Sequence, residues 1–89
     1  MQFEWDRAKA AANLRKHRVS FHEASTVLND PLSTTFPDIA GEGEERFVTI
    51  GTSARGRLLV VVHIEQGHAI RLISARRATR RERGFYEQA

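Results

Sequence analysis

The chain contains no cysteine. It therefore forms no disulfide, thiolate metal site or thiol nucleophile, and its chemistry depends on oxygen, imidazole, amine and guanidinium groups. It also lacks an apolar run of membrane-spanning length, and residues 1–6 lack the cationic start and apolar stretch of a signal peptide. These absences lead us to expect a cytoplasmic protein that neither enters nor crosses a membrane.

Hydrophobic residues make up 40% of the chain, which is enough for one core but not for two. We therefore expect residues 1–89 to form a single domain. The net charge is +3, and six arginines lie between Arg71 and Arg83. Guanidinium groups donate paired hydrogen bonds to phosphate, so this cluster indicates RNA binding. A solvated helix face and a surface for an acidic partner protein are the alternatives.

Local patterns in the first half predict a short N-terminal strand followed by two helices. Asp6 is a good N-cap for a helix over residues 7–17. The capping box Ser20-Phe21-His22-Glu23 opens a second helix that reaches about Leu28. Residues 32–45 show no period and are expected to form a long surface loop.

The second half predicts three strands and a final helix, which completes an α+β fold. Runs rich in valine, isoleucine, leucine and phenylalanine predict strands over residues 46–52, 57–65 and 69–75, joined as an antiparallel meander. Thr79-Arg80-Arg81-Glu82 is a further capping box, which begins a C-terminal helix that contains Tyr86.

A two-residue hairpin turn at Gln66-Gly67 predicts the pairing of the last two strands. It places Arg57 opposite Arg76 and His63 opposite Ile70. Like charges that face each other across a sheet repel, so the two arginines predict an anion between them, such as a phosphodiester.

The same register predicts a mixed sheet face and an apolar one. The mixed face comprises Arg46, Arg57, His63, Ser74 and Arg76. Arg46 joins it, near His63, only if the turn at residues 54–56 is even-numbered, and a three-residue turn places it on the other face. The apolar face comprises Leu58, Val60, Val62, Ile64 and Ile73, and we expect the two N-terminal helices to cover it. An ordinary half-exposed sheet face is the alternative to a site.

RNA carries its own nucleophile in the 2′-hydroxyl, so its cleavage needs only proton transfer and stabilisation of the charge on phosphorus. The candidates for proton transfer are His17, His63, Lys16, Glu82 and Tyr86. The two histidines rank first because only imidazole titrates near neutral pH without help. The chain has no HExxH motif, Cys/His quartet or glycine-rich phosphate loop, so we expect neither a metal nor a cofactor.

The order of motifs is specific, although each motif alone is weak. The first half contains Phe3-Glu4-Trp5-Asp6, Lys9-Ala10, Asn13, Lys16-His17, Val19-Ser20-Phe21, Glu23-Ala24 and Asp30-Pro31. The second half contains Glu45-Arg46-Phe47, Ile50-Gly51, Gly56-Arg57, Ile73-Ser74-Ala75-Arg76, Ala78-Thr79, Glu82 and Tyr86. Together they resemble the toxins of the BrnT family over almost the whole chain.

The resemblance implies a bacterial type II toxin, an endoribonuclease with a RelE-like architecture. It also implies inhibition by a BrnA-type antitoxin with a ribbon-helix-helix domain, in a hetero-oligomer that binds operator DNA only through the antitoxin. One departure concerns the loop before Glu45-Arg46-Phe47. This loop often carries a His-Ser pair in the family, whereas residues 38–44 here read Asp-Ile-Ala-Gly-Glu-Gly-Glu.

The leading interpretation is a metal-independent endoribonuclease. The candidate catalytic residues are His17, Lys16, Arg57, Arg76 and Glu82, and the candidate RNA-binding residues are Arg46, His63, Arg80, Arg81 and Tyr86. In the alternative, the same basic face binds an acidic antitoxin segment or a nucleic acid without catalysis. Independent DNA binding is less favoured because no helix presents an obvious set of base-reading side chains.

Overall fold

The structure, a computed structural model, describes residues 2–38 and 45–88. Within these residues the chain forms five strands and three helices. In chain order they are β1 (Gln2–Glu4), α1 (Arg7–His17), α2 (Phe21–Val27), β2 (Thr34–Pro37), β3 (Phe47–Thr52), β4 (Leu58–Gln66), β5 (Ala69–Arg77) and α3 (Arg80–Gln88). The predicted α+β class is confirmed. The departing loop segment 39–44 lies outside the described residues.

Capping interactions fix the ends of the first two helices. The Asp6 carboxylate accepts a hydrogen bond from the Lys9 amide at 2.9 Å, and the Ser20 hydroxyl accepts one from the Glu23 amide at 3.0 Å. α1 ends at Arg18, whose φ of 59° is left-handed. Both helices begin where their caps predict, because a cap satisfies backbone N–H groups that have no partner within the helix. No helix in the described part of the chain is long and apolar enough to span a bilayer.

The strands form one sheet in the order β1-β5-β4-β3-β2. β3, β4 and β5 are antiparallel neighbours, which confirms the predicted meander, and β1 pairs parallel to β5. β2 is a correction, because the sequence analysis assigned residues 32–45 to a loop. All four residues of this edge strand are exposed. It therefore shows no alternation of buried and exposed side chains by which a strand is recognised in a sequence.

The turn of the β4–β5 hairpin lies one residue later than predicted, so each residue of β4 near the turn pairs two residues further along β5. Gln66 lies opposite Ala69, so the turn consists of Gly67 and His68 rather than Gln66 and Gly67. Gly67 has a φ of 60°. Tight hairpin turns with a primed geometry require a positive φ at their first central residue, and glycine adopts it without steric cost.

These shifts separate the two arginines that the sequence analysis paired. Arg76 lies opposite Val60 of β4, and Arg57 precedes the first residue of that strand. The shifted turn places His63 opposite Leu72 instead of Ile70, and an irregularity of register between Val62 and His63 changes the pairing of the residues beyond it, including Arg76. The predicted Arg57–Arg76 pair is wrong. The shifted turn alone keeps the predicted faces, but the one-residue irregularity next to His63 moves Arg76 to the face of Val60, away from the face of His63.

α1 and α2 pack on one face of the sheet, and α3 packs on the other. The first face contributes Leu59, Val61, Leu72 and Ala75 to a core with Val19, Phe21, Ala24 and Val27. The second face places Ile50, Leu58 and Val60 against Tyr86 of α3. The prediction that α1 and α2 cover the face of Leu58 and Val60 is wrong. Both faces are apolar, so hydrophobicity alone does not tell which of them the helices cover.

The predicted mixed face is divided between the two sides of the sheet. Ser74 and Arg76 line the side of α3. His63 lies two residues after Val61 on β4. Val61 belongs to the core beneath α1 and α2, so the His63 side chain lies on that side of the sheet. Arg57 also turns to this side, where Glu23 of α2 binds it.

A candidate active-site groove

The sheet face next to α3 forms the floor of a groove of about 410 Å³. The floor is apolar and consists of Val48, Ile50, Val60 and Val62. The sides are formed by Phe36, Asp38, Ser74, Arg76, Glu82 and Phe85. An apolar floor with a few polar and charged groups at its sides is the usual composition of a ligand site.

Arg76 and Glu82 form a bidentate ion pair in the groove. Nη1 and Nη2 of Arg76 donate to the two carboxylate oxygens of Glu82, each at 2.8 Å. The hydrogen bond from Arg76 is the main cause that lowers the pKa of Glu82 to about 2, and the same bond raises the pKa of Arg76. At neutral pH the groove therefore holds a fixed guanidinium next to an ionised carboxylate.

Two sets of contacts hold α3 over the groove. At its start, the Thr79 hydroxyl accepts from the Glu82 amide at 3.2 Å and the Glu82 carboxylate accepts from the Thr79 amide at 2.9 Å, as the capping box predicts. Near its end, the Tyr86 hydroxyl donates to the Asp30 carboxylate at 2.7 Å and accepts from the Thr52 hydroxyl at 3.1 Å. The Thr52 bond lowers the pKa of Tyr86, but the Asp30 bond and burial outweigh it and raise the pKa. Tyr86 thus anchors α3 through its hydroxyl.

A second cavity, of about 330 Å³, adjoins the groove. We call it the aromatic pocket. It is lined by Thr34, Phe36, Ile50, Phe85 and Tyr86. Three of these residues, Phe36, Ile50 and Phe85, also line the groove. The two cavities therefore share a wall, and β2 and α3 supply the aromatic rings of both.

Arg57 takes part in a buried ion pair on the other side of the sheet. Its guanidinium donates two hydrogen bonds to the Glu23 carboxylate, the one from Nε at 2.9 Å, and another to the Arg18 carbonyl at 3.0 Å. The Ser53 hydroxyl donates to the same carboxylate at 2.7 Å. The Glu23 and Arg57 side chains are only 4% and 19% exposed. The bond from Arg57 lowers the pKa of Glu23. Arg57 is thus committed to partners within the protein.

Lys16 and His17 lie at the end of α1, on the sheet face away from the groove. α1 is joined to β5 by the buried Asn13, which donates to the Ala75 carbonyl at 2.8 Å and accepts from the Ala75 amide at 3.1 Å. Side chains of adjacent strand residues point to opposite faces, so Ala75 faces α1 while Arg76 faces the groove. The structure does not bring Lys16 or His17 to the groove.

His63 and Arg46 do not line the groove either. His63 is 2% exposed, its Nε2 is hydrogen-bonded to the Thr49 hydroxyl at 2.8 Å, and its ring stacks on Phe47 with centroids 6.1 Å apart. Burial lowers the pKa of His63. The His63 Nδ1 and the Arg46 Nε are buried without a hydrogen-bond partner among the described residues.

Of the predicted site residues, Arg76 and Glu82 meet in the groove and Tyr86 lines the aromatic pocket. Arg80 and Arg81 are exposed on the first turn of α3, next to Glu82 in the chain. Phe36 and Phe85, which line both cavities, were not among the predicted site residues. Phe36 lies in the segment that was predicted to be a loop, and its only signal in the sequence is an aromatic residue before a proline in a polar stretch.

Two comparisons with known proteins point to one family. The profile of a family described as the ribonuclease toxin BrnT of type II toxin-antitoxin systems matches residues 5–82. The structure is similar to the crystal structure of the Brucella abortus ribonuclease toxin BrnT, with a TM-score of 0.71 and 26% sequence identity over 90% of this chain and 99% of that chain. No curated protein sequence matches the chain. Because the profile covers most of the chain, including Arg76 and Glu82 of the groove, the chain belongs to the BrnT family of ribonuclease toxins of type II toxin-antitoxin systems.

Proposed function

We propose that this chain is an endoribonuclease that cleaves RNA without a metal ion, by attack of the 2′-hydroxyl on the adjacent phosphorus. The observation that carries the proposal is the Arg76–Glu82 pair in the groove, a cation and a carboxylate 2.8 Å apart. RNA brings its own nucleophile, so the protein has to supply only charge stabilisation and proton transfer. The pair provides one group for each task.

Arg76 is the group that holds the phosphate. Its planar guanidinium donates two parallel hydrogen bonds, a geometry that fits two phosphoryl oxygens as well as it fits the Glu82 carboxylate. As the 2′-oxygen bonds to phosphorus and the bond to the 5′-oxygen breaks, negative charge grows on these oxygens and strengthens both hydrogen bonds. The leaving 5′-oxygen takes a proton from water, and the products are a 2′,3′-cyclic phosphate and a 5′-hydroxyl.

Glu82 is the carboxylate placed to accept the proton of the 2′-hydroxyl. In the free protein its pKa of about 2, due chiefly to Arg76, is too low for an efficient base at neutral pH. A phosphate that binds Arg76 replaces this hydrogen bond, and the pKa of Glu82 then rises toward its ordinary value. Substrate binding would thus position the phosphate and activate the base together.

The other candidate residues suit roles outside proton transfer. Arg80 and Arg81 are exposed next to the groove and are proposed to bind RNA phosphates beyond the scissile bond. Lys16 and His17 lie on the far side of the sheet, so we assign them no part in the reaction. Arg57 suits a structural role, because its donors are already bound to protein acceptors.

We further propose that a BrnA-like antitoxin with a ribbon-helix-helix domain inhibits the chain, and that operator DNA is bound only through this partner in a hetero-oligomer. Membership of a type II toxin-antitoxin family supports the existence of a protein antitoxin. An RNA substrate would place the activity in the cytoplasm. Expression of the chain should arrest growth, and co-expression of the protein encoded next to its gene should restore it.

The catalytic proposal is tested by purified Arg76→Ala, with Arg77→Ala as the matched control. Loss of one contact that stabilises a transition state typically slows a reaction by about 10²–10³. We therefore expect cleavage of an end-labelled RNA in the presence of EDTA to slow by about a hundredfold or more in Arg76→Ala. Arg77 follows on the same strand and points to the opposite face, so its variant should cleave at the wild-type rate.

Three results would contradict the proposal. The first is a wild-type rate in Arg76→Ala protein, the second is loss of cleavage in EDTA, and the third is cleavage at a linkage that lacks its 2′-hydroxyl. Binding of RNA with no cleavage by the wild-type protein would favour a non-catalytic binding module instead.

A further inference from the structure

The aromatic pocket exposes two large apolar side chains to solvent. Phe36 is 42% exposed and Phe85 is 64% exposed. The other large exposed apolar residues of the described chain, Leu14 and Leu32, line neither the groove nor the aromatic pocket. Two exposed phenylalanines that converge on one cavity leave an apolar surface uncovered, which is the mark of a binding site rather than of scattered surface residues.

The pocket is continuous with the groove. Phe36, Ile50 and Phe85 line both cavities, and the groove also contains Arg76 and Glu82. A ligand whose anionic part binds Arg76 can therefore place an adjoining planar part against the two phenylalanines. A nucleotide has this form, since its base is joined to the phosphate through a single sugar.

The chemistry of the lining favours stacking over recognition of base edges. Aromatic rings and Ile50 form most of the pocket wall, and the Tyr86 hydroxyl is already bound to Asp30 and Thr52. Proteins bind unpaired bases by stacking them on exposed aromatic side chains, and each base offers a planar face for this contact. The volume of about 330 Å³ also lies in the range of a small-ligand site.

We infer that the aromatic pocket binds one nucleobase of the RNA, on the nucleotide next to the scissile phosphate, between Phe36 and Phe85. The inference rests on the proposed ribonuclease function and names a further part of the same site. Stacking tolerates different bases, so the pocket fixes the position of the cleaved bond relative to an unpaired base and selects only modestly among base types.

The test uses short RNA-like substrates with one cleavable ribonucleotide linkage, all other sugars being 2′-deoxy. The base on the 5′ side, and then the base on the 3′ side, is replaced by an abasic residue. Loss of one stacked base reduces binding by about ten- to a hundredfold in comparable sites. We expect wild-type kcat/KM to fall by this factor for one of the two abasic substrates.

The decisive comparison is between a substitution in the pocket and removal of the base from the substrate. Phe85→Ala should lose about as much activity as the wild type loses on the abasic substrate, and it should lose nothing further when that base is absent. Phe36→Ala should behave in the same way. Leu14→Ala is the matched control, because this exposed side chain lies on α1, away from the groove, and its variant should show the full abasic penalty.

A second readout separates this inference from the cleavage proposal. 2-Aminopurine at the same position of an uncleavable, fully 2′-deoxy analogue should lose fluorescence on binding to the wild type, because stacking quenches it, but not on binding to Phe85→Ala. Quenching that depends on Phe85 supports the pocket even if the protein does not cut RNA. Additive effects of Phe85→Ala and the abasic base overturn it. The inference is also overturned if Phe36→Ala and Phe85→Ala keep the full abasic penalty but are no longer inhibited by the co-expressed partner. That result would show that the pocket binds a protein.

Discussion

At the scale of single residues, two arginines show that partners decide what a guanidinium does. Arg76 is partly exposed and pairs with Glu82 in the groove, where a phosphate can reach it. Arg57 pairs with Glu23 beneath the opposite face, where the same carboxylate also accepts from Ser53. The predicted hairpin register placed the two arginines opposite each other and therefore predicted one role for both.

We predict that Glu23→Ala lowers the free energy of unfolding by about 3–5 kcal/mol, since it leaves the largely buried charge of Arg57 without its partner. Arg57→Ala should be destabilised less, because the Ser53 hydroxyl and the Arg55 guanidinium, 3.7 Å away, still contact the Glu23 carboxylate. The measurement is urea unfolding at neutral pH. Glu87→Ala, which removes an exposed carboxylate from α3, is the control and should change the value by less than about 0.5 kcal/mol.

Unfolding midpoints of Glu23→Ala and Arg57→Ala equal to that of the control would show that the pair does not stabilise the fold. The pKa of Glu23 is lowered in the folded chain. The stabilisation by the ion pair is therefore complete above about pH 4.5 and is lost as the pH falls from there through the folded-state pKa. An acid-induced loss of stability should therefore be smaller in Glu23→Gln than in the wild type.

At the scale of elements, a row of polar side chains crosses three strands of the sheet. The hydroxyls of Thr35 on β2 and Thr49 on β3 are 2.7 Å apart, and Thr49 is 2.8 Å from the Nε2 of His63 on β4. The Nδ1 of His63 is buried and has no hydrogen-bond partner within the described residues. Protonation would place a charge in this buried position, where Nδ1–H has no acceptor among the described residues, and burial therefore favours the neutral ring.

We predict that the wild type loses stability below about pH 6.5 for this reason. The pKa of His63 is lowered on folding, so the unfolded chain binds a proton that the folded chain does not, and stability falls as the pH drops from 6.5 toward the folded pKa. The contribution of this one proton cannot exceed about 1.4 kcal/mol per pH unit. The measurement is urea unfolding between pH 5 and 7.5 for wild type and His63→Leu.

The difference between the two pH profiles isolates His63, because the other histidines are present in both proteins. His63→Leu should be less sensitive to acid in this window. His68→Leu, at the exposed hairpin turn, is the matched control and should keep the wild-type slope. Parallel profiles for wild type and His63→Leu would show that His63 does not govern the acid sensitivity of the sheet.

At the scale of the whole molecule, exposed cations lie on both sides of the sheet. Arg80 and Arg81 are exposed beside the groove, whereas Arg7 and Lys9 are exposed on α1 at the opposite face of the sheet. A polyanion centred on the groove would contact the first pair and not the second. The net charge of +3 by itself does not distinguish these two surfaces.

We predict that affinity for an uncleavable 2′-O-methyl RNA falls with salt, with a log–log slope that becomes shallower by about 0.7 for each phosphate contact removed from a single strand. The double variant Arg80→Ala/Arg81→Ala should show this change for two contacts. Arg7→Ala/Lys9→Ala removes the same charge and should keep the wild-type slope. Equal changes in both double variants would show that RNA responds to total charge and not to the groove side.

The sequence by itself determined the helices, the antiparallel meander and the family. These features depend on short-range signals, such as Asp6 capping the Lys9 amide and Thr79 capping the Glu82 amide, or on the order of motifs along the chain. A cap and its partner are three residues apart, so the sequence contains the whole interaction. For the same reason Glu82, which follows its cap by three residues, was found as a site residue.

Only the tertiary structure decided which side chains share the groove. The hairpin turn lies at Gly67 and His68, one residue later than predicted, and an irregularity of register next to His63 places Arg76 on the other face of the sheet from Arg57. The partner of Arg57 is Glu23, 34 residues earlier in the chain, and the aromatic pocket joins an edge strand to α3. Such contacts follow from which face of the sheet each helix covers, and because both faces are apolar, no local pattern records that choice.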